Sequence, residues 1–355
     1  VRAVQVSRHG GPEELILGEH PDPVPGPGEV LVRNSWIGVN YVDLQHRAGR
    51  PYPVELPLIP GTEAAGFVTE VGDGVDPGLA GAAVVHFGHL RGVYAELTAV
   101  PAEFVVPLPA GVALDDAAAV AMNGTTAYVL TAMACQIGPG DVVVVHAAAG
   151  ATGGAVVQLA AAAGAEVIAL ASTAAKAGAA VALGARHGLA LEQVGDPVAA
   201  VLSVTGGRGA DVVYDANGRD TFGMSLDMLA TFGTLVLYGQ SSGPVEPFGP
   251  GRLSGITGEG RGAGSLTLRW VAASHYLAGQ PDRAAAVSAV LGQVGAGRLS
   301  PRIAERYPLG RAAEAHSRLA SRSVAGKILL QVGSDGVGVS RQDWAVEREV
   351  GGANG

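Results

Sequence analysis

The spacing of apolar positions changes once along the chain, near Asp115. Before it, short apolar segments alternate with Gly and Pro clusters: RAVQV at 2–6, EVLVRNSWIGV at 29–39, GFVTEV at 66–71 and GAAVVHF at 81–87. Runs of this length and residue type predict strands, and clusters such as Pro25-Gly26-Pro27-Gly28 predict the turns between them. Residues 1–120 are therefore expected to form an irregular, mostly β domain. After Asp115 the pattern lengthens. VVVV at 142–145 is a continuous apolar run, the mark of a parallel strand buried on both faces. A Gly-rich turn and an Ala-rich helix at 153–163 follow, then EVIALA at 166–171, a helical stretch to Leu183, ADVVYDA at 210–216, a helix near 221–230 and GTLVLYG at 233–239. Strands alternating with helices predict an α/β, doubly wound parallel sheet over about 121–264. Residues 240–264 read as a Gly/Ser/Pro-rich surface loop and 282–295 as a helix. VAGKILLQV at 324–332 reads as a last strand, so that about 265–333 completes the first domain. The polar, Gly-rich tail 334–355 is expected to be disordered.

Composition narrows the partners. The 355 residues, 48% hydrophobic and including 54 glycines, suit two domains whose helices pack closely on a sheet. A formal charge of -9 argues against nucleic acid, which usually meets a basic face. No uninterrupted apolar stretch is long enough for a membrane span, and the first residues lack a secretory pattern, so a cytoplasmic protein is expected. A single cysteine, Cys135, excludes an internal disulfide and a thiolate-rich zinc site.

HAAAGATGG at 146–154 directly follows the apolar strand and opens the Ala-rich helix. Read as A-x-G-x-x-G it uses Ala148, Gly150 and Gly153, letting backbone approach a pyrophosphate at a helix N-terminus; Ala151 and Thr152 lie within the same turn. An NAD-specific site usually ends the next strand with Asp or Glu. Here the strand ends Ala171-Ser172-Thr173, with no carboxylate, and Lys176 follows within a turn. Small polar residues plus a cation predict a 2′-phosphate partner, hence NADPH.

GTEAAG at 61–66, YAELTAVPAEFVVPLPAG at 94–111, HAAAGATGG, STAAKAGAAVALGA at 172–185, VVYDANGRDT at 212–221, YGQSSG at 238–243 and VAGKILL at 324–330 together resemble the zinc-free quinone oxidoreductases of the medium-chain dehydrogenase/reductase superfamily. The resemblance spans residues 2 to about 332. It implies a GroES-like β domain with a Rossmann domain inserted, nicotinamide and substrate in the cleft between them, and a homodimer. It also implies that Asn40, in NYVD at 40–43, borders nicotinamide and substrate, and that Thr126 touches the cofactor. Asn217, Tyr238, Gln240 and Ser241 are expected at the carboxyl edge of the sheet, with Leu268 in the same contacting set and Lys327 at a position that often carries a basic residue near the cofactor.

Zinc alcohol dehydrogenases, similar in fold, carry Cys and His where this chain has Asn40 and Thr62, and His86 and His89 lack a neighbouring third ligand. A metal-free site is expected. Departures from the family pattern also fall near the site. Leu191 stands where Tyr or His often packs by the adenine ribose, the Tyr of Arg50-Pro51-Tyr52-Pro53 is displaced by one residue, and the 244–264 loop is long. The implied reaction is NADPH-dependent reduction of a quinone or conjugated enone, a small-molecule carbonyl substrate. Asn40 and Tyr52 are the expected donors to its oxygen, with Tyr41 as a lesser candidate. Two alternatives stay open: an enoyl reductase acting on an acyl thioester, whose carrier protein would be a partner, and a non-catalytic NADPH-binding structural protein.

Overall fold

The computed structural model describes residues 1–88, 92–256 and 264–333. The chain opens with β1 (Arg2–Gln5), β2 (Ile16–Glu19), β3 (Glu29–Val39), α1 (Tyr41–Ala48) and β4 (Glu63–Val71). Next come β5 (Ala83–Phe87), β6 (Leu97–Pro101), β7 (Val105–Pro107) and α2 (Leu114–Tyr128). The alternating region holds β8 (Val142–Val145), α3 (Ala151–Ala162), β9 (Glu166–Ala171), α4 (Ala174–Ala182), β10 (His187–Ala190) and α5 (Pro197–Val204). It continues through β11 (Ala210–Asp215), α6 (Phe222–Asp227), β12 (Leu229–Leu237), β13 (Thr267–Trp270), α7 (Ala273–Tyr276) and α8 (Gln280–Gly295). The last described elements are β14 (Ile303–Pro308), α9 (Ala312–Ala320) and β15 (Lys327–Gln331).

Contacts divide the chain into two compact units, one formed by Val1–Met122 with the chain from Ile303 onward, the other by Asn123–Arg302. The return to the first unit thus falls at Ile303, not near 265. The reason is β13, which pairs in parallel with β12 as the sixth strand of the second unit's sheet, so the segment after the loop stays there. The expectation of a disordered tail concerns residues outside those described.

In the first unit a seven-stranded sheet runs in the order β14-β15-β3-β4-β5-β7, with β6 also on β3. Strand β3 is the spine: its 11 residues pair with β15, β4 and β6, and Val30, Val32, Ile37 and Val39 from it are buried. The unit's cores gather Val4, Ile37, Val39, Tyr94, Ile328 and Leu330 in one place and Val30, Val68, Val84 and Val100 in another.

In the second unit the six strands are parallel, in the order β10-β9-β8-β11-β12-β13. Order reverses between β8 and β11, and such a reversal opens a crevice at the carboxyl ends of the two strands. All four residues of β8 are buried, as its unbroken apolar run requires. Helix α3 presents Gly153, Gly154, Ala155 and Ala160 among its buried residues; small side chains there bring helix and sheet close. The loop expected at 240–264 is tied down where it is described. Phe248 packs on Phe222 with ring centroids 4.8 Å apart, and Arg252 Nη2 lies 2.9 Å from Asp227 Oδ1. Among the described residues no helix is long and apolar enough to cross a membrane.

Candidate functional site

The second unit carries a turn built for close approach. Strand β8 ends at Val145; Ala147 takes φ +50, and its carbonyl accepts the Gly150 N–H at 2.9 Å. Gly150 caps α3 in an extended conformation. A side chain at Gly153 would collide with the Ala147 carbonyl, so only hydrogen fits there. The first N–H groups of α3, from Ala151, Thr152 and Gly153, lack intrahelical acceptors by the geometry of any helix start. They are suited to phosphate oxygens. Ala148 is buried, its N–H on Leu170 O at 3.2 Å, and Thr152 Oγ1 accepts from Asn123 Nδ2 at 2.9 Å. These residues fit the pyrophosphate of a dinucleotide. Thr126, half-buried, lies on the same helix as Asn123, one turn further on.

Across the reversal point, the ends of β11 and β12 bring Asn217, Tyr238, Gln240 and Ser241 together. Ser241 Oγ lies 3.3 Å from Asn217 Oδ1, and the N–H groups of Ser241 and Ser242 bond Ala216 O and Asn217 O. A buried polar network unforeseen from the sequence holds this edge. Asp215 accepts from the N–H groups of Asn217 (2.7 Å) and Gly218 (3.2 Å), from Thr221 Oγ1, and from Ser225 Oγ at 2.8 Å. With the Ser225 hydrogen committed to a carboxylate, His146 Nε2, 3.0 Å away, must be the donor to Ser225. Burial pulls the His146 pKa down, against the Coulombic pull of Asp215. Leu268, on β13, is partly buried and packs on the apolar cluster of β8, β11 and β12.

At the end of β9, Ser172 is exposed and Thr173 caps α4, accepting the Lys176 N–H at 3.3 Å. Beyond β10, Glu192 Oε1 accepts the Ala174 N–H at 2.7 Å. Leu191 is half-buried beside it.

The first unit holds a second polar cluster. Asn40 ends β3 and starts α1, its N–H bonded to Asp43 Oδ2 at 2.8 Å. Lys327, the first residue of β15 and 2% exposed, places Nζ 2.6 Å from Asn40 Oδ1 and 2.5 Å from Glu63 Oε1. The Asn40 amide donates to Glu63 Oε1 at 2.7 Å and to Thr62 Oγ1 at 3.3 Å, and Met122 N donates to Glu63 Oε2. Gly38 leaves room for this carboxylate, which a Cβ there would strike. Both amide hydrogens of Asn40 are therefore spent inside the cluster. Without ligand, the residue expected to donate to a substrate oxygen is thus braced by Lys327, Glu63 and Thr62. Thr62 Oγ1 directs its hydrogen only at the weak acceptor Met122 Sδ, 3.5 Å away.

A further chain of contacts backs Asp43. Arg47 can only donate, so His316 Nδ1, 3.1 Å from it, accepts. His316 Nε2 then donates to Tyr94 Oη at 3.0 Å, and Tyr94 Oη–H donates to Asp43 Oδ2 at 3.2 Å. Burial pushes the Asp43 carboxyl up to about 7, against the Asn40 N–H and Lys327. It pushes the His316 imidazole down to about 3, with Arg47 adding to the fall. Tyr41, 38% exposed, donates its hydroxyl to Leu319 O at 3.2 Å. Tyr52 is 45% exposed. His86 is buried against Asn34 Oδ1 at 2.9 Å, and His89 lies outside the described residues. No group of three His, Cys, Asp or Glu side chains able to hold a metal occurs among the described residues.

Residues 26–110 match the alcohol dehydrogenase GroES-like domain and 151–272 the zinc-binding dehydrogenase domain. Quinone oxidoreductase 1 of Escherichia coli is 35% identical over 329 residues, covering 92% of this chain and 98% of that protein. The chain belongs to the quinone oxidoreductase family of the medium-chain dehydrogenase/reductase superfamily. Within it, the 2-haloacrylate reductase of a Burkholderia species is 36% identical over 335 residues, 93% of this chain and 98% of that one. The solved structure of Escherichia coli quinone oxidoreductase complexed with NADPH superposes with a TM-score of 0.87 at 34% identity, over 93% of this chain and 100% of that one. The α/β architecture, a Rossmann sheet inserted in a GroES-like domain, is thus that of the family.

Proposed function

We propose that this chain transfers hydride from NADPH to a quinone or to the C=C bond of a conjugated carbonyl compound, without a metal. The observation that carries the metal-free reading is the Asn40 cluster. Zinc needs N, S or carboxylate ligands in fixed tetrahedral array. Here an amide and a hydroxyl stand at the two ligand positions, and the Lys327 ammonium already uses Asn40 Oδ1 and Glu63 Oε1. A metal ion would have to displace a buried cation and bind weaker donors. The cofactor reading is supported by the Gly153 turn and by the NADPH bound in the related Escherichia coli structure. The substrate class is supported by the names of the relatives: quinone oxidoreductases, and a reductase of a 2-haloacrylate, itself a conjugated C=C compound.

When bound, NADPH supplies the hydride. The chain must then meet negative charge growing on the substrate oxygen with positioned donors. Conjugation lightens this task, because the charge delocalises. Thr62, whose hydrogen has only a weak acceptor, and the exposed Tyr52 phenol are the donors we assign; Asn40 holds Thr62 from behind. The acting form is a homodimer, supported by β13, the end strand of its sheet, which leaves Trp270 52% exposed. Turnover of a panel of quinones, enones and unactivated alcohols, before and after chelation, tests the reading. Activity confined to simple alcohols, or lost with a stoichiometric metal, would refute it.

A further inference from the structure

We propose that Arg47 fixes the direction of a buried hydrogen-bond chain through His316 and Tyr94 to Asp43, and that this direction keeps the Asp43 carboxylate accepting from Asn40 and so sets the acid limit of turnover. The inference deepens the reading above and rests on it for the last step, the effect on turnover. The four side chains come from α1, α9 and the segment between β5 and β6, and each is 7% exposed or less. Buried this far, the chain takes its direction from its end groups and not from solvent. Arg47 has no acceptor to offer. Its Nη1, 3.1 Å from His316 Nδ1, leaves that nitrogen unprotonated and the imidazole hydrogen on Nε2. Arg47 also helps to hold His316 neutral. His316 Nε2 then donates to Tyr94 Oη, and the Tyr94 hydroxyl donates to Asp43 Oδ2. Burial and the Asp43 charge keep that phenol protonated, its pKa well above the usual value. The Tyr94 and His316 rings meet edge to face, centroids 5.6 Å apart at 83°, so neither turns without the other.

The reversed chain would need Asp43 to donate from Oδ2, Tyr94 to donate to Nε2, and Nδ1–H to face the Arg47 guanidinium, donor against donor. With Arg47 in place, a proton arriving at Asp43 is left with Oδ1, which is buried and has no partner among the described residues. Hydrogen bonds to the charged form of a carboxyl favour that form. Asp43 also faces Lys327 on β15, which favours the carboxylate, and Glu63 on β4, which disfavours it. The carboxylate accepts the Asn40 N–H at 2.8 Å, and Asn40 in turn aims its amide at Thr62 and Glu63. Arg47, His316 and Tyr94 are thus positioning residues, acting on the site through Asp43 and Asn40.

Three measurements on the full chain test this, unmodified and as Arg47→Gln and Tyr94→Phe. Nitrogen chemical shifts, assigned by their loss in His316→Gln, show which His316 nitrogen carries the proton. Infrared difference spectra, assigned with Asp43→Asn, follow the protonated carboxyl band against pH. The pH profile of kcat with NADPH and a quinone or enone gives the acid limit. In the unmodified protein His316 should be protonated on Nε2, and the Asp43 band should grow as pH falls through about 7. Arg47→Gln, whose amide can accept as well as donate, should mix the two tautomers and raise the Asp43 midpoint by about one pH unit. Tyr94→Phe, which has no hydroxyl, should raise it by at least about as much. The acid limb of kcat should move with the midpoint in both variants. A proton on Nδ1 in the unmodified protein, a tautomer unchanged in Arg47→Gln, or an Asp43 midpoint unmoved in the variants would overturn the directional chain. A midpoint that moves while the kcat limb stays would overturn the positioning role. If the unmodified protein turned over no quinone or enone with NADPH, the hydride-transfer reading would fall and the acid limit with it, while the tautomer and infrared results would still decide the direction of the chain.

Discussion

Removing the Lys327 ammonium is the sharpest perturbation of the buried cluster. In Lys327→Met, Glu63 stays 0% exposed and keeps two neutral donors, Asn40 Nδ2 at 2.7 Å and the Met122 N–H. Stripping one member from a buried ion pair costs about 3–5 kcal/mol, and the two remaining donors place this case near about 3. For a unit of this size each kcal/mol moves the melting temperature by about 2–4 °C, so a fall of about 6–12 °C is expected. Glu63→Gln added to Lys327→Met removes the stranded charge and should restore at least half of the loss. A double-mutant cycle by thermal unfolding measures this coupling directly. NADPH affinity should change less than about twofold, because Lys327 acts through Asn40 and Glu63. The reasoning fails if the single variant melts within a degree or so of the unmodified protein. It fails equally if the double variant falls by the sum of the singles, or if NADPH binding collapses while stability holds.

Gly153→Val places a side chain against the Ala147 carbonyl and should weaken NADPH binding by at least about tenfold, with circular dichroism near native. Asp43 titrates near 7 in the folded chain and near 3.8 when unfolded, so its contribution is fully present below pH 4 and lost as pH rises towards 7. His316, held down to about 3, contributes in the opposite sense: its stability is present above about pH 6.5 and lost as pH falls towards 3. Asp43→Asn should therefore gain stability relative to the unmodified protein between pH 4 and 7, by on the order of 4 kcal/mol at most, in denaturant titrations across that range. Trp270→Glu, which puts a charge on the end strand, should shift sedimentation from dimer towards monomer with little change in melting.

Local pattern accounts for much of the fold. The VVVV run became β8, EVIALA became β9, and the Gly-rich turn up to Gly150 led into α3, because buried parallel strands and helix starts are written in contiguous residues. Helix α1 was not legible, although Asn40 and Asp43 stand at cap and third-residue spacing. Strand β13 was not legible, since four residues carry no sign of which sheet will receive them. The site was legible wherever a motif is local, as in the turn at 147–153. It was not where distant residues converge. Nothing around Asn40 announces that Lys327, 287 positions away, and Glu63 will consume its amide. The Asp215 network left a faint trace, since Thr221 and Ser225 are one helical turn apart.

The central claim is hydride transfer from NADPH to a conjugated carbonyl by a chain that needs no metal. Its most direct test follows NADPH oxidation with a 2-haloacrylate, a simple enone and a benzoquinone, before and after exhaustive chelation, with metal content measured alongside. Turnover of at least one conjugated substrate, unchanged by chelation, is the expected result. Turnover of none of them, or activity abolished by chelation and restored by zinc, would contradict the account.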